Sequence, residues 1–169
     1  VVLLERTELT AGSTWHAAGL LPLFNMSYTV GQLHKYSVDL YKRLPAETGQ
    51  DVSFHVTGNL RLATCRDRMD EYKKYCGTAN TIGVPFQLIS PAEVKELWPL
   101  VNLGGDADTP AVIGALYHPD DGHIAPADLT MALRKAARAA GAEINEQTEV
   151  TGAAQLPSGR WDVVLANIL

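Results

Sequence analysis

Apolar and polar positions follow different periods along this chain, and each stretch predicts an element. Val1-Val2-Leu3-Leu4 is an unbroken apolar run closed by Glu5-Arg6. That is the pattern of a strand buried on both faces, with Glu5 leaving the sheet at its carboxyl edge. From Tyr28 to Thr48, apolar residues recur at three- and four-residue steps: Val30, Leu33, Tyr36, Leu40, Tyr41 and Leu44. This predicts an amphipathic helix whose end is set by Pro45 and Gly49. Ser53-Phe54-His55-Val56 and Gly58–Thr64 alternate, and read as two strands. Asp67–Asn80 has the charge of a surface helix, with Met69, Tyr72, Lys73 and Cys76 as a narrow inner stripe.

The second half is read the same way. Val84–Ile89 predicts a strand, and Ser90-Pro91-Ala92-Glu93 opens a short helix with a capping residue, an early proline and an acid, stopped by Pro99. Ile113–Tyr117 is a further strand. Ala125–Ala140 is the clearest helix, with Pro126 and Asp128 at its start, Arg134, Lys135 and Arg138 toward its end, and Gly141 as its stop. Ala142–Asn145 and Glu149–Ala154 read as strands, the latter paired with Arg160–Leu165 across Pro157-Ser158-Gly159. The fold class is α/β with α+β mixing.

Composition narrows the function classes. The 169 residues are 46% hydrophobic and 20% charged, the balance of an ordinary globular domain. A net charge of -5 with dispersed basic residues argues against a nucleic-acid partner. No apolar run reaches the roughly 20 residues of a membrane span. Cys65 and Cys76 lack metal-like spacing and read as free thiols of a reducing compartment. His118-Pro119-Asp120-Asp121-Gly122-His123 gathers two histidines and two acids, but proline and Asp-Gly make it a turn, and no metal is assigned. His34 is read as a half-buried or solvated helix residue. Arg61 reads as a cross-strand ion pair or solvated face, or else as a residue aimed at a substrate carboxylate.

The stretch Thr10-Ala11-Gly12-Ser13-Thr14-Trp15-His16-Ala17-Ala18-Gly19-Leu20 follows the first strand and carries almost no bulk. Small residues let backbone approach a flat or anionic ligand, and Ser13 and Thr14 supply donors. An acid such as Glu5, ending a strand of a dinucleotide-binding unit, accepts from ribose hydroxyls. On the residues alone, His16 is either a helix-start packing residue or a nucleophilic imidazole held against a cofactor.

The segment Leu3–Leu20 resembles the flavin-attachment segment of the dimethylglycine and sarcosine dehydrogenase family, within the wider D-amino-acid-oxidase-like flavoproteins. The resemblance continues through Leu40-Tyr41, Glu47–Gln50, Gly58–Thr64, Gly114–Tyr117, Asp121-Gly122-His123-Ile124 with Pro126, and Leu129–Leu133. It implies part of a Rossmann-like FAD-binding domain with an inserted substrate-domain segment. Residues 1–26 would belong to the FAD-binding domain, 27–118 to the substrate-domain excursion, and 119–169 to the return.

It further implies FAD bound covalently through His16, with Gly12, Ser13, Thr14, Trp15, His16, Ala17, Ala18, Gly19 and Leu20 along the flavin and pyrophosphate. Glu5 and Arg6 would hold the adenosine end, and Val150 would meet the adenine through its backbone. The implied reaction is oxidation of an N-methyl group on a small amino acid such as dimethylglycine or sarcosine, with electron-transfer flavoprotein as acceptor. The expected location is the cytoplasm, or the mitochondrial matrix in a eukaryote. The family's glycine-rich first turn and its tetrahydrofolate-binding region lie outside this sequence, so the resemblance implies a fragment, expected to bind flavin poorly when isolated and to hold no assignable catalytic acid or base. Two other readings stay open: a noncovalent flavin amine oxidase, and a noncatalytic regulatory homologue, whose counterpart segment departs at the histidine.

Overall fold

The computed structural model describes residues 1–167. Contacts divide them into two compact units. One comprises residues 1–19, 41–53 and 124–167; the other comprises residues 20–40 and 54–123.

In the first unit, β1 (Val2–Leu4) pairs in parallel with β8 (Glu143–Asn145), Leu3 opposite Ile144. The helix α4 (Pro126–Ala139) leads into β8 and packs against it, as a crossover onto a parallel strand requires. Pro126 occupies its first turn, where a missing N–H costs nothing, and Gly141 follows its end at a positive φ of 84°. β9 (Thr148–Gln155) and β10 (Trp161–Asn167) form the predicted antiparallel hairpin. The pairing skips Thr151, since Gly152 faces Val164 while Val150 faces Leu165, which makes a bulge beside Val150.

The doubly buried strand expected at Val1–Glu5 is corrected by the exposure of Val2 (57%) and Leu3 (43%). β8 covers one edge only, and among the described residues no strand pairs with the other.

In the second unit, β4 (Asn59–Ala63) and β5 (Gln87–Ile89) flank β6 (Gly114–His118) in an antiparallel sheet. The helix α2 (Arg66–Ile82) packs on all three strands through Tyr72, Tyr75 and Ala79, which join Ala63 and Leu116 in the core. Tyr75 replaces the expected Lys73 on the inner stripe; Lys73 sits at the surface, paired with Asp70 at 2.8 Å. The helix α3 (Pro91–Leu97) begins with the predicted capping box: Ser90 Oγ accepts from Glu93 N–H at 3.3 Å, while the Glu93 carboxylate accepts from Ser90 N–H at 2.7 Å. The Ser90 N–H, joined by the Ser90 hydroxyl at 2.7 Å, holds the Glu93 carboxyl below the usual carboxylate range. A second small sheet places β7 (Gly122–His123) between β2 (Leu20–Leu21) and β3 (His55–Val56). The strand β2 has no alternating pattern, because two residues are too few to show one.

The helix α1 (Tyr28–Thr48) exists as expected, but its first half buries a different face. Val30 (38%), Leu33 (63%) and Tyr36 (63%) are exposed, while Gly31 and Val38 are buried. The side of Gly31 lies so close to Ile82 that an added Cβ would stand 2.5 Å from Ile82 Cδ1. Close approach at a glycine, not the apolar stripe, chose the packed face. Pro45 lies inside the helix rather than ending it. A proline disturbs the preceding turn and not the following one, and Gly49, with a φ of 63°, supplies the stop.

Candidate flavin-binding site

The proposed cofactor residues fall into two groups within the first unit, with Leu20 just beyond it. Glu5 sits at the carboxyl end of β1, its N–H donating to Asn145 O at 2.9 Å and its carbonyl accepting from Thr148 N–H at 2.8 Å. Thr7 donates to Glu5 Oε1 from its N–H at 2.8 Å and from its hydroxyl at 3.2 Å. The carboxylate is therefore oriented by its own turn. Val150, two residues beyond Thr148, lies at the same end of the strands and is half-exposed. Arg6 is exposed and makes no ion pair among the described residues.

The second group is the loop. Ser13–His16 forms one 3-10 turn. The chain enters it through Thr10 at a φ of 81°, and Trp15 N–H donates back to Thr10 O at 3.1 Å. Short 3-10 pieces are common connectors, and no hydrophobic period predicts them. The far end is clamped: Ile124 N–H donates to Gly19 O at 2.9 Å, and a Cβ at Gly19 would lie 2.1 Å from Ile124 O. With a φ of 74°, position 19 admits glycine and little else. Helix α4 packs against the turn itself. Held at both ends and from one side, the middle stays open.

Gly12, Ser13, Trp15, His16, Ala17 and Ala18 are exposed, and a Cβ on Gly12 would meet nothing within 4 Å. Among the described residues the Ser13 and Thr14 hydroxyls make no hydrogen bonds. His16 Nδ1 lies 3.2 Å from Gly12 O. A carbonyl only accepts, so Nδ1 carries the hydrogen in this contact, and in the neutral ring Nε2 keeps its lone pair. Leu20 opens β2, 67% exposed, opposite His123. No hydrogen bond joins the loop residues Gly12–Gly19 to Glu5, Arg6 or Val150 among the described residues.

The profile of the FAD dependent oxidoreductase family, DAO, matches residues 1–167. The chain belongs to that family. It is 44% identical to "Dimethylglycine dehydrogenase, mitochondrial" of Rattus norvegicus over 163 residues, 96% of this chain and 18% of that protein. It is 40% identical to "Sarcosine dehydrogenase, mitochondrial" of Homo sapiens over 152 residues, 89% of this chain and 16% of that protein. Among solved structures, L-proline dehydrogenase from P. horikoshii superposes with a TM-score of 0.83 at 30% identity, over 93% of this chain and 40% of the other. The chain thus spans under a fifth of the curated relatives' length.

The residues present fit the family's cofactor: an uncrowded glycine-bearing loop, unengaged hydroxyls and an oriented acid at a strand end. Among the described residues no group of three or more His, Cys, Asp or Glu is placed to hold a metal, and no helix is long and apolar enough to cross a membrane. Cys65 and Cys76 are free thiols, and burial pushes the Cys76 thiol up.

Sequence reasoning passed over a buried polar hub in the second unit. Asp121 Oδ1 accepts from His118 Nδ1 at 2.8 Å and from Leu23 N–H at 3.1 Å, and the Asp121 carbonyl accepts from Thr57 and Gly58 N–H at 3.1 and 2.8 Å. The His118 ring packs on Phe86 at 4.5 Å. The Tyr75 hydroxyl donates to Leu23 O and accepts from Asn25 N–H, both at 3.0 Å. Arg61 lies with its guanidinium 4.3 Å from the centre of the Phe24 ring, which corrects the expected ion pair or solvated face. The usable signal was an acid three residues after a histidine across a proline turn.

Proposed function

We propose that this chain is part of a flavoenzyme that oxidises an N-methyl group of a small amino acid, dimethylglycine or sarcosine, with FAD carried covalently on His16. The observation that carries this reading is the presentation of His16. Its Nδ1 is committed to Gly12 O, its Nε2 is left with a lone pair, and from Thr10 to Gly19 every other side chain but Trp15 is small. That is the state a nucleophilic ring nitrogen needs for attachment. Kinship to dimethylglycine and sarcosine dehydrogenases supports the substrate class.

In this reading residues 1–26 and 119–169 belong to the FAD-binding domain and residues 27–118 to the substrate-domain excursion. Gly12–Leu20, Trp15 and His16 among them, line the flavin and pyrophosphate, with Ser13 and Thr14 donating, and Gly12, Ala17, Ala18 and Gly19 leaving the backbone accessible. Glu5 accepts from the ribose hydroxyls and with Arg6 holds the adenosine end, and the Val150 backbone meets the adenine. When bound, the flavin supplies a hydride acceptor for the methyl carbon, leaving the substrate as an iminium. Electron-transfer flavoprotein as acceptor, tetrahydrofolate bound outside this chain, and a cytoplasmic or matrix location complete the proposal.

The test uses the full-length protein. After acid precipitation the pellet is expected to stay yellow, and the peptide containing His16 is expected to carry the mass of FAD. Flavin released to the supernatant would leave a noncovalent oxidase in its place. A purified, folded protein that takes up no flavin would point to the regulatory homologue.

A further inference from the structure

Two histidines outside the flavin loop stand ring beside ring. His123, on the central strand β7, lies opposite Leu20 on one side and His55 on the other. Residues opposite each other across a ladder project from the same face, so Leu20, His123 and His55 form one row across the sheet. All three are exposed. The two imidazole centres are 5.1 Å apart with their planes at 32°. Among the described residues neither ring makes a hydrogen bond or an ion pair. His118, by contrast, has its Nδ1 engaged by Asp121 and its ring buried.

The spacing has a specific meaning. An imidazole nitrogen binds Zn²⁺ at about 2.0–2.1 Å, which puts the ring centre roughly 3 Å from the metal; two rings on one tetrahedral ion then have centres about 5 Å apart. His55 and His123 already stand at that distance, on backbone fixed by the ladder. We propose that His55 and His123 form a two-nitrogen site for a divalent transition ion of the Cu²⁺, Ni²⁺ and Zn²⁺ group. Imidazole favours these ions over the oxygen-seeking Mg²⁺ and Ca²⁺, and affinity follows the order in which Cu²⁺ leads. Leu20 ends the row without a donor, so the remaining coordination positions stay open to water or a small anion. The inference does not depend on how His16 is used.

The experiment is a Cu²⁺ titration of the full-length holoprotein followed by electron paramagnetic resonance, with Zn²⁺ as competitor. A one-ion signal with two nitrogen ligands is expected. Losing one donor removes the chelate advantage, so His55→Gln and His123→Gln should each weaken binding about a hundredfold, while His34→Gln leaves it unchanged. A measurement on the unaltered protein guards against misfolded variants: Zn²⁺ should protect both His55 and His123 from acylation by diethyl pyrocarbonate, read by peptide mass. A parent protein that binds no more tightly than either variant, or Zn²⁺ that protects neither or only one of the two rings, overturns the site.

Discussion

His16 and His118 are held in opposite ways within the same chain. His16 is exposed on a 3-10 turn, one ring nitrogen tied to its own loop and the other unencumbered. His118 is 1% exposed, bonded to Asp121 and packed on Phe86. Burial converts the second imidazole into a structural tie, because a polar group removed from water is costly unless its bonds are made. Exposure keeps the first available for chemistry at almost no structural cost. The two sites should therefore separate cleanly when stability and cofactor chemistry are measured side by side.

The largest effect is expected at the hub. Asp121→Ala leaves both His118 Nδ1 and Leu23 N–H buried without an acceptor, and should lower unfolding free energy by about 3 kcal/mol, read by urea denaturation of the full-length protein. A loss under about 1 kcal/mol would mean that the hub is not a tie. Next comes Gly19→Ala at the loop's clamp, where the positive φ and the approach of Ile124 O together should cost about 2 kcal/mol. If that variant kept full stability, the loop would be less firmly held than its hydrogen bond to Ile124 indicates.

Tyr75→Phe removes one donor and one acceptor serving the Leu23–Asn25 segment, and should cost about 1.5 kcal/mol in the same measurement. The smallest stability change belongs to His16→Gln, expected within about 0.5 kcal/mol of the parent, with all acid-stable flavin lost. Destabilisation there comparable to Asp121→Ala would erase the contrast.

The elements were legible where one period ran long enough to read. Ala125–Ala140 carried its first-turn proline, its charge order and its glycine stop, and Ser90–Glu93 carried a complete capping box. What escaped was decided by partners distant in sequence. The buried face of α1 depends on Gly31 meeting Ile82, β2 exists because β7 lies beside it, and β1 finds its ladder partner only in β8. The loop was visible as a run of small residues, and its histidine through resemblance. The clamp at Gly19 was not, since Ile124 lies on the far side of the whole second unit in sequence. The hub stayed hidden for the same reason: Leu23 and Asp121 are neighbours only after folding.

The pairing of β1 with β8 sets an order of events as well as a geometry. Val2 waits for Glu143, so the ladder from which the Thr10–Gly19 loop hangs closes across nearly the entire chain. Contacts so distant in sequence must offset a loop-closure entropy that grows with their separation. Until Asn145 has left the ribosome, Val2–Leu4 cannot make this ladder, and the bonds that Glu5 shares with Asn145 and Thr148 are unmade.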